Sequence, residues 1–205
     1  MSAVTIVDFG MGNLHSAIKR FRRINADSQV SADPEVVASA AKLVLPGVGH
    51  FGKAMENLES SGLRQALNFA VIERRIPVLG ICLGMQLMAR HSQEGDAPGL
   101  GWIAADVIRF SVSDPVRHKV PQIGWNTVAL KKDSALTKGL DPAAEFYFVH
   151  AFHLVCEDPA DVLGETVYDY PFASAVARAN IYGVQFHPEK SQDSGETLLR
   201  NFVSL

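Results

Sequence analysis

Cysteine is scarce: among 205 residues only Cys82 and Cys156 occur, and no C-x-x-C pairs them. That excludes a disulfide scaffold and a zinc ribbon. Seven histidines are present, yet none stands in an H-E-x-x-H or comparable ligand spacing, so no metal is expected. No apolar run approaches the roughly 20 residues needed to cross a bilayer. Basic runs are lacking as well, and a net charge of −3 leaves no electrostatic footprint for nucleic acid or a membrane surface. The start, MSAVTIVDFGMGN, reaches Asp8 and two glycines too soon for a secretory leader. A dinucleotide fingerprint beginning Gly10-Met11-Gly12 would need its third glycine at His15, so no nucleotide cofactor is expected. These absences leave a cytoplasmic globular protein.

What is present suits one domain, 1–205, large enough to bury a substantial core. Hydrophobic residues make up 47% and charged residues 20%, an ordinary globular balance. Val4 to Phe9 reads as a strand, followed by Leu14, Ala17, Ile18, Phe21 and Ile24 at helical spacing, with Asn13 as N-cap. Lys42 to Leu45 and Ile76 to Ile81 read as further strands. Between them Phe51 to Arg75 is helical, with a break near Ser60-Ser61-Gly62; another helix is expected over Gly84 to Arg90. Strands alternating with helices predict an α/β fold with a mostly parallel central sheet and flanking helices. After Trp102 the strand-like runs crowd together until a helix at Gly195 to Val203. That predicts an antiparallel extension of the sheet, or strands bent over it.

The stretch Gly80-Ile81-Cys82-Leu83-Gly84 has the form of a nucleophile elbow, a tight strand-to-helix turn that presents a reactive side chain between two glycines. There the N–H of Leu83 is free to hold an oxyanion. The bland alternative is a buried cysteine that happens to have glycine neighbours. A cysteine nucleophile needs a base, and the base an orienting partner. In Gly183-Val184-Gln185-Phe186-His187-Pro188-Glu189 an apolar strand ends at a histidine, and Pro188 biases His187 to extended backbone. Residues i and i+2 then face the same way, so Glu189 reaches the imidazole. Pro46-Gly47-Val48-Gly49 follows the second strand, and its backbone N–H groups can supply a second oxyanion donor.

Taken together, PGVG, GICLGMQ and GVQFHPEKS resemble the class I (triad) glutamine amidotransferases, whose fold is flavodoxin-like. The resemblance implies hydrolysis of glutamine to glutamate and ammonia by Cys82 as nucleophile, His187 as acid/base and Glu189 as its orienting carboxylate. It implies an oxyanion hole from Leu83 and the Gly47-Val48 segment, with Gly49 and Gln86 holding the substrate glutamine. Within the family, VDFGMGNLHSA, KVPQIGWN, FYFVHAFH and HPEKS are similar to the glutaminase subunits of imidazole glycerol phosphate synthases. Phe9, Gln122 and Ala151 depart from residues frequent there, and none of them touches the triad.

That likeness implies a heterodimer with a (β/α)8-barrel cyclase subunit. The cyclase takes ammonia and a phosphoribulosyl-formimino precursor to imidazole glycerol phosphate and AICAR in histidine biosynthesis. It places Asn13, Trp125, Asn126 and Lys190 at the partner surface. No cofactor is implied. Three rival readings stay open on the residues alone: a glutaminase of another synthase, a stand-alone cysteine hydrolase, and a scaffold that kept the fold without the chemistry.

Overall fold

Short apolar runs separated by helices build the first half. The computed structural model describes residues 4–205, so the first three positions of the expected domain lie outside the described residues. Strand β1 (Val4–Val7), helix α1 (Leu14–Arg23), β2 (Ser28–Ser31), α2 (Pro34–Ser39), β3 (Lys42–Gly47), α3 (Phe51–Ser60) and α4 (Leu63–Asn68) lead to β4 (Val78–Cys82) and the four-residue α5 (Leu83–Gln86). Every residue of β3 and β4 is buried, as expected for parallel strands covered on both faces. Asn13 caps α1 by accepting the Ser16 N–H at 3.2 Å. The break between α3 and α4 falls at Gly62, whose φ of +74° ends one helix and begins the next.

The second half contributes β5 (His91–Ser92), β6 (Ala97–Pro98), β7 (Ala105–Arg109), β8 (Gln122–Thr127), β9 (Ala129–Leu130), β10 (Glu145–His150), β11 (Phe152–Cys156), β12 (Val162–Tyr168), β13 (Tyr170–Arg178), β14 (Ile181–Val184) and α6 (Gln192–Ser204). The main sheet runs β2-β1-β3-β4-β14-β13-β11-β7-β5-β6, with β12 branching from β13. Its first five strands are mutually parallel. Then β14, β13, β11 and β7 alternate in direction. A separate antiparallel ribbon pairs β8 with β10. Both forms of the expected antiparallel part therefore occur, one as an extension and one as a ribbon apart from it.

Two apolar clusters cover the two sides of the sheet, one around Phe51, Leu58 and Leu67, the other around Phe21, Phe148 and Phe186. The register sets Gly47 against Cys82 and Val184 against Ile81. The loops leaving β3, β4 and β14 consequently open side by side at the carboxyl edge, where open parallel sheets hold their ligands. Among the described residues no helix is long and apolar enough to cross a membrane.

Candidate active site

At the end of β4 the chain turns so sharply that Cys82 takes φ +54° and ψ −112°. A side chain rarely tolerates that left-handed backbone, which costs on the order of 1–3 kcal/mol and persists only where the surroundings hold it. Two close approaches hold it. A Cβ on Gly80 would lie 2.6 Å from the Gly84 carbonyl oxygen, and one on Gly84 would lie 1.7 Å from the Leu45 carbonyl oxygen. Only glycines let the elbow press against β3 in this way.

His187, just beyond β14, is buried, and its Nδ1 lies 2.7 Å from Glu189 Oε1. The i, i+2 relation expected from the extended His187-Pro188 segment is thus realised. The backbone that carries the ring is pinned: Ser191 Oγ donates to the His187 carbonyl at 2.6 Å and accepts the Tyr147 N–H at 3.0 Å. Arg20 holds the same turn, donating from Nε and a terminal nitrogen to the Glu189 carbonyl at 3.0 and 2.9 Å. The remaining ring nitrogen, Nε2, is buried without a hydrogen-bond partner, and Cys82 lies close enough to act on the ring's pKa. Burial alone would lower the imidazole pKa, but hydrogen bonds and charge from Cys82 and Glu189 outweigh it and raise His187 to about 9.

Beside the thiol a pocket of about 220 Å³ is lined by Val48, Gly49, Cys82, Leu83, Gln86 and Glu94, with Val149 to Phe152 forming the opposite wall. Leu83 opens α5, where the first N–H groups have no intrahelical partner. Val48 is brought to the pocket as expected, yet its N–H donates to the Met11 carbonyl at 3.2 Å. Gly49 next to it has φ +108°. Gln86 donates from Nε2 to the Phe152 carbonyl and to Gln185 Oε1, each at 3.0 Å, which leaves its own carbonyl oxygen free.

Four residues expected at a partner surface fall less uniformly. Trp125, 45% exposed, stands edge-on to Tyr147, and Lys190 Nζ sits 5.5 Å over the same tyrosine ring. Those two share one patch with Ile123, 63% exposed. Asn126 has its amide donated to the Val167 carbonyl at 3.0 Å, and Asn13 caps α1. Residues the sequence did not single out are Glu94, Gln185, Ser191, Arg20 and Tyr147. Ser191, within HPEKS, Gln185, within GVQFHPE, and Tyr147, within FYFVHAFH, lie inside motifs that carried a signal, whereas Glu94 and Arg20 lie in none.

A strained cysteine at a strand end, a hydrogen-bonded His-Glu pair and a small, largely apolar pocket beside the thiol are the groups that thiol-dependent amide hydrolysis requires. The glutamine amidotransferase class-I family matches residues 5–205, and the chain belongs to that family. Among curated relatives, the imidazole glycerol phosphate synthase subunit HisH 2 of Methanococcus maripaludis is 44% identical over 200 residues, covering 98% of either chain. The subunit of that name from Pseudomonas aeruginosa is 42% identical, covering 98% of this chain and 99% of the relative. The HisH subunit of Wolinella succinogenes is 45% identical over 208 residues, with 98% and 99% covered. Two solved structures share the fold at 15% identity. PurLQS from Thermotoga maritima superposes with a TM-score of 0.75 over 100% of this chain and 99% of that one. A Trypanosoma brucei CTPS glutaminase domain with bound acivicin gives 0.66, over 100% and 94%.

Proposed function

We propose that this chain is the glutaminase subunit of an imidazole glycerol phosphate synthase, with Cys82, His187 and Glu189 as its catalytic triad. The observation that carries the reading is the strained Cys82 beside a buried His187 whose Nδ1 lies 2.7 Å from Glu189. His187 Nε2 takes the thiol proton, and the thiolate attacks the side-chain carbonyl carbon of glutamine, forming the C–S bond. The Leu83 N–H holds the resulting oxyanion. The imidazolium returns its proton to the departing nitrogen, the C–N bond breaks and ammonia leaves. His187 then deprotonates water, which opens the thioester to glutamate and restores the thiol. Glu189 keeps the Nδ1–H tautomer and stabilises the imidazolium.

In the pocket, the free oxygen of Gln86, the Gly49 backbone and the Glu94 carboxylate are placed to hold the substrate's amide and ammonium groups. Val48 is the second oxyanion donor, but only once its peptide turns away from the Met11 carbonyl. Gly47 and Gly49 on either side allow that rotation. Ammonia passes to a (β/α)8-barrel cyclase subunit, which docks on the patch of Trp125, Tyr147 and Lys190 with Asn13 and Asn126 at its margin. The cyclase combines it with the phosphoribulosyl-formimino precursor, giving imidazole glycerol phosphate and AICAR. The reaction takes place in the cytoplasm, where a reactive thiol stays reduced. Cys82→Ala tests the reading: glutamate release should vanish while the melting temperature and cyclase binding hold. Retained hydrolysis would remove the nucleophile, and a large loss of stability would favour a purely structural cysteine.

A further inference from the structure

Gln185 is fully buried and takes no part in the chemistry described above. Its side chain nonetheless lies between Gln86 and the nucleophile. Gln185 Oε1 accepts from Gln86 Nε2 at 3.0 Å, and Gln185 Nε2 lies 3.6 Å from Cys82 Sγ. The backbone fixes the direction of this chain. The Phe152 carbonyl can only accept, so Gln86 must turn its nitrogen to it, at 3.0 Å. Its other hydrogen then goes to Gln185 Oε1, and the amide group left to face the sulfur is the Gln185 NH2. Turning the Gln185 amide over would set nitrogen against nitrogen and a carbonyl against a thiolate. The Phe152 carbonyl is itself well anchored, since it also accepts from His150 Nδ1 at 2.7 Å.

We propose that Gln185 is a positioning residue for the reactive sulfur: the relay from the Phe152 carbonyl through Gln86 and Gln185 aims one N–H at Sγ, fixes it beside His187 and stabilises its anionic form. The inference deepens the assignment of Cys82 as nucleophile and rests on it. Cys82 is only 7% exposed, so a charge on its sulfur meets little water and a fixed donor matters. The titratable groups around it are His187 with Glu189 behind, His150 from β10 and Glu94 across the pocket. Burial lowers His150 to about 3, against its bond to the Phe152 carbonyl, so it stays neutral in the working range. Gln185 is therefore the neutral donor that holds the thiolate whatever the protonation of its neighbours. The same relay ties up both hydrogens of Gln86 and leaves its oxygen for substrate, so losing Gln185 should strike turnover harder than binding.

The test is the pH dependence of Cys82 alkylation by iodoacetamide in the full-length chain, read by peptide mass spectrometry for the wild type, Gln185→Met and Gln185→Glu. Cys156 is counted separately and stays largely protonated, because burial first and the Asp161 charge second raise its thiol to about 11. A hydrogen bond to a charged group should favour thiolate about 10- to 100-fold, so the Gln185→Met midpoint should rise by about 1–2 pH units. Gln185→Glu keeps the shape and can still accept from Gln86, but places an oxygen against the sulfur. It should raise the midpoint at least as far. In the complex, kcat for glutamine should fall about 10- to 100-fold with KM within a few-fold. Midpoints of both folded variants matching the wild type would overturn the relay. Because alkylation does not require glutamine, the two claims separate: persistent glutaminase activity in Cys82→Ala would sink the nucleophile assignment, and an unmoved midpoint would sink the relay alone.

Discussion

The Val48 N–H is held by the Met11 carbonyl at 3.2 Å, so the isolated chain should be a poor glutaminase and the docked partner should switch it on. Removing one oxyanion donor typically costs about 10²–10³ in rate. A neutral hydrogen bond of this kind stabilises by about 1 kcal/mol net. If it were all that kept the peptide turned away, the competent orientation would be suppressed only about fivefold. The rest must come from packing, and the structure supplies it. A Cβ on Gly47 would already meet Leu83 Cβ at 2.9 Å, and one on Gly49 would meet Met11 Cε at 2.7 Å. The loop is therefore wedged between the elbow and the β1–α1 turn, which carries Asn13 of the expected partner surface. Glutamate production should be measured for the chain alone, with the cyclase, and with the cyclase plus its precursor. The expected rise from first to last is about 10²–10³, the worth of one restored donor. Full activity of the isolated chain would refute the gating. A rise of only about fivefold would mean that the Met11 hydrogen bond, not the packing, is the whole restraint.

Replacing His187 with Ala should abolish turnover, while Glu189→Gln should lower it by a smaller factor, since the carboxylate orients the ring but moves no proton; steady-state kinetics of the complex decide the order. With His187 raised to about 9 from its ordinary 6.5, kcat/KM should hold through neutral pH and fall as pH rises past about 9, because the acid that protonates the leaving nitrogen is then lost. In stability terms the raised pKa contributes fully below 6.5, and that contribution disappears as pH climbs towards 9; Glu189→Gln should move both declines to lower pH, followed by pH-dependent melts. Gly84→Ala would drive a Cβ to 1.7 Å from the Leu45 carbonyl, a main-chain atom that cannot swing aside, so it should destabilise by about 3 kcal/mol or more, or fail to fold. A fully stable, active Gly84→Ala would show that the elbow does not need this contact.

The readable parts of the sequence were those in which a local rule dictated a local shape. Buried parallel strands such as β3 and β4 are continuous apolar runs, and the elbow and the His-Pro-Glu turn each carry their geometry within a few residues. Edge strand β2 was missed because SQVS is polar and no more than partly buried, so its apolar signal is weak. Helix α2 lies in the same unassigned stretch. The helix expected over Gly84 to Arg90 ends instead at Gln86. The carbonyls of Leu87, Met88 and Ala89 find partners in the N–H groups of Leu100, Trp102, Ile103 and Gly101, a tertiary exchange that no local pattern announces. The site divides in the same way. Cys82, His187 and Glu189 were legible, whereas Glu94 sits in a short turn with no chemical motif, and the Val149 to Phe152 wall depends on how β10 and β11 fold over the pocket. The commitment of the Val48 N–H to Met11 joins segments 37 positions apart and could not be read from either.

Hydrolysis at this site requires Cys82 to be the group that attacks glutamine. The direct measurement is labelling of the intact protein with an electrophilic glutamine analogue, located by peptide mass spectrometry. Attachment should be stoichiometric at Cys82, absent at Cys156, prevented by excess glutamine and lost in His187→Ala. Labelling at Cys156, or equal labelling of Cys82 with and without glutamine, would contradict it.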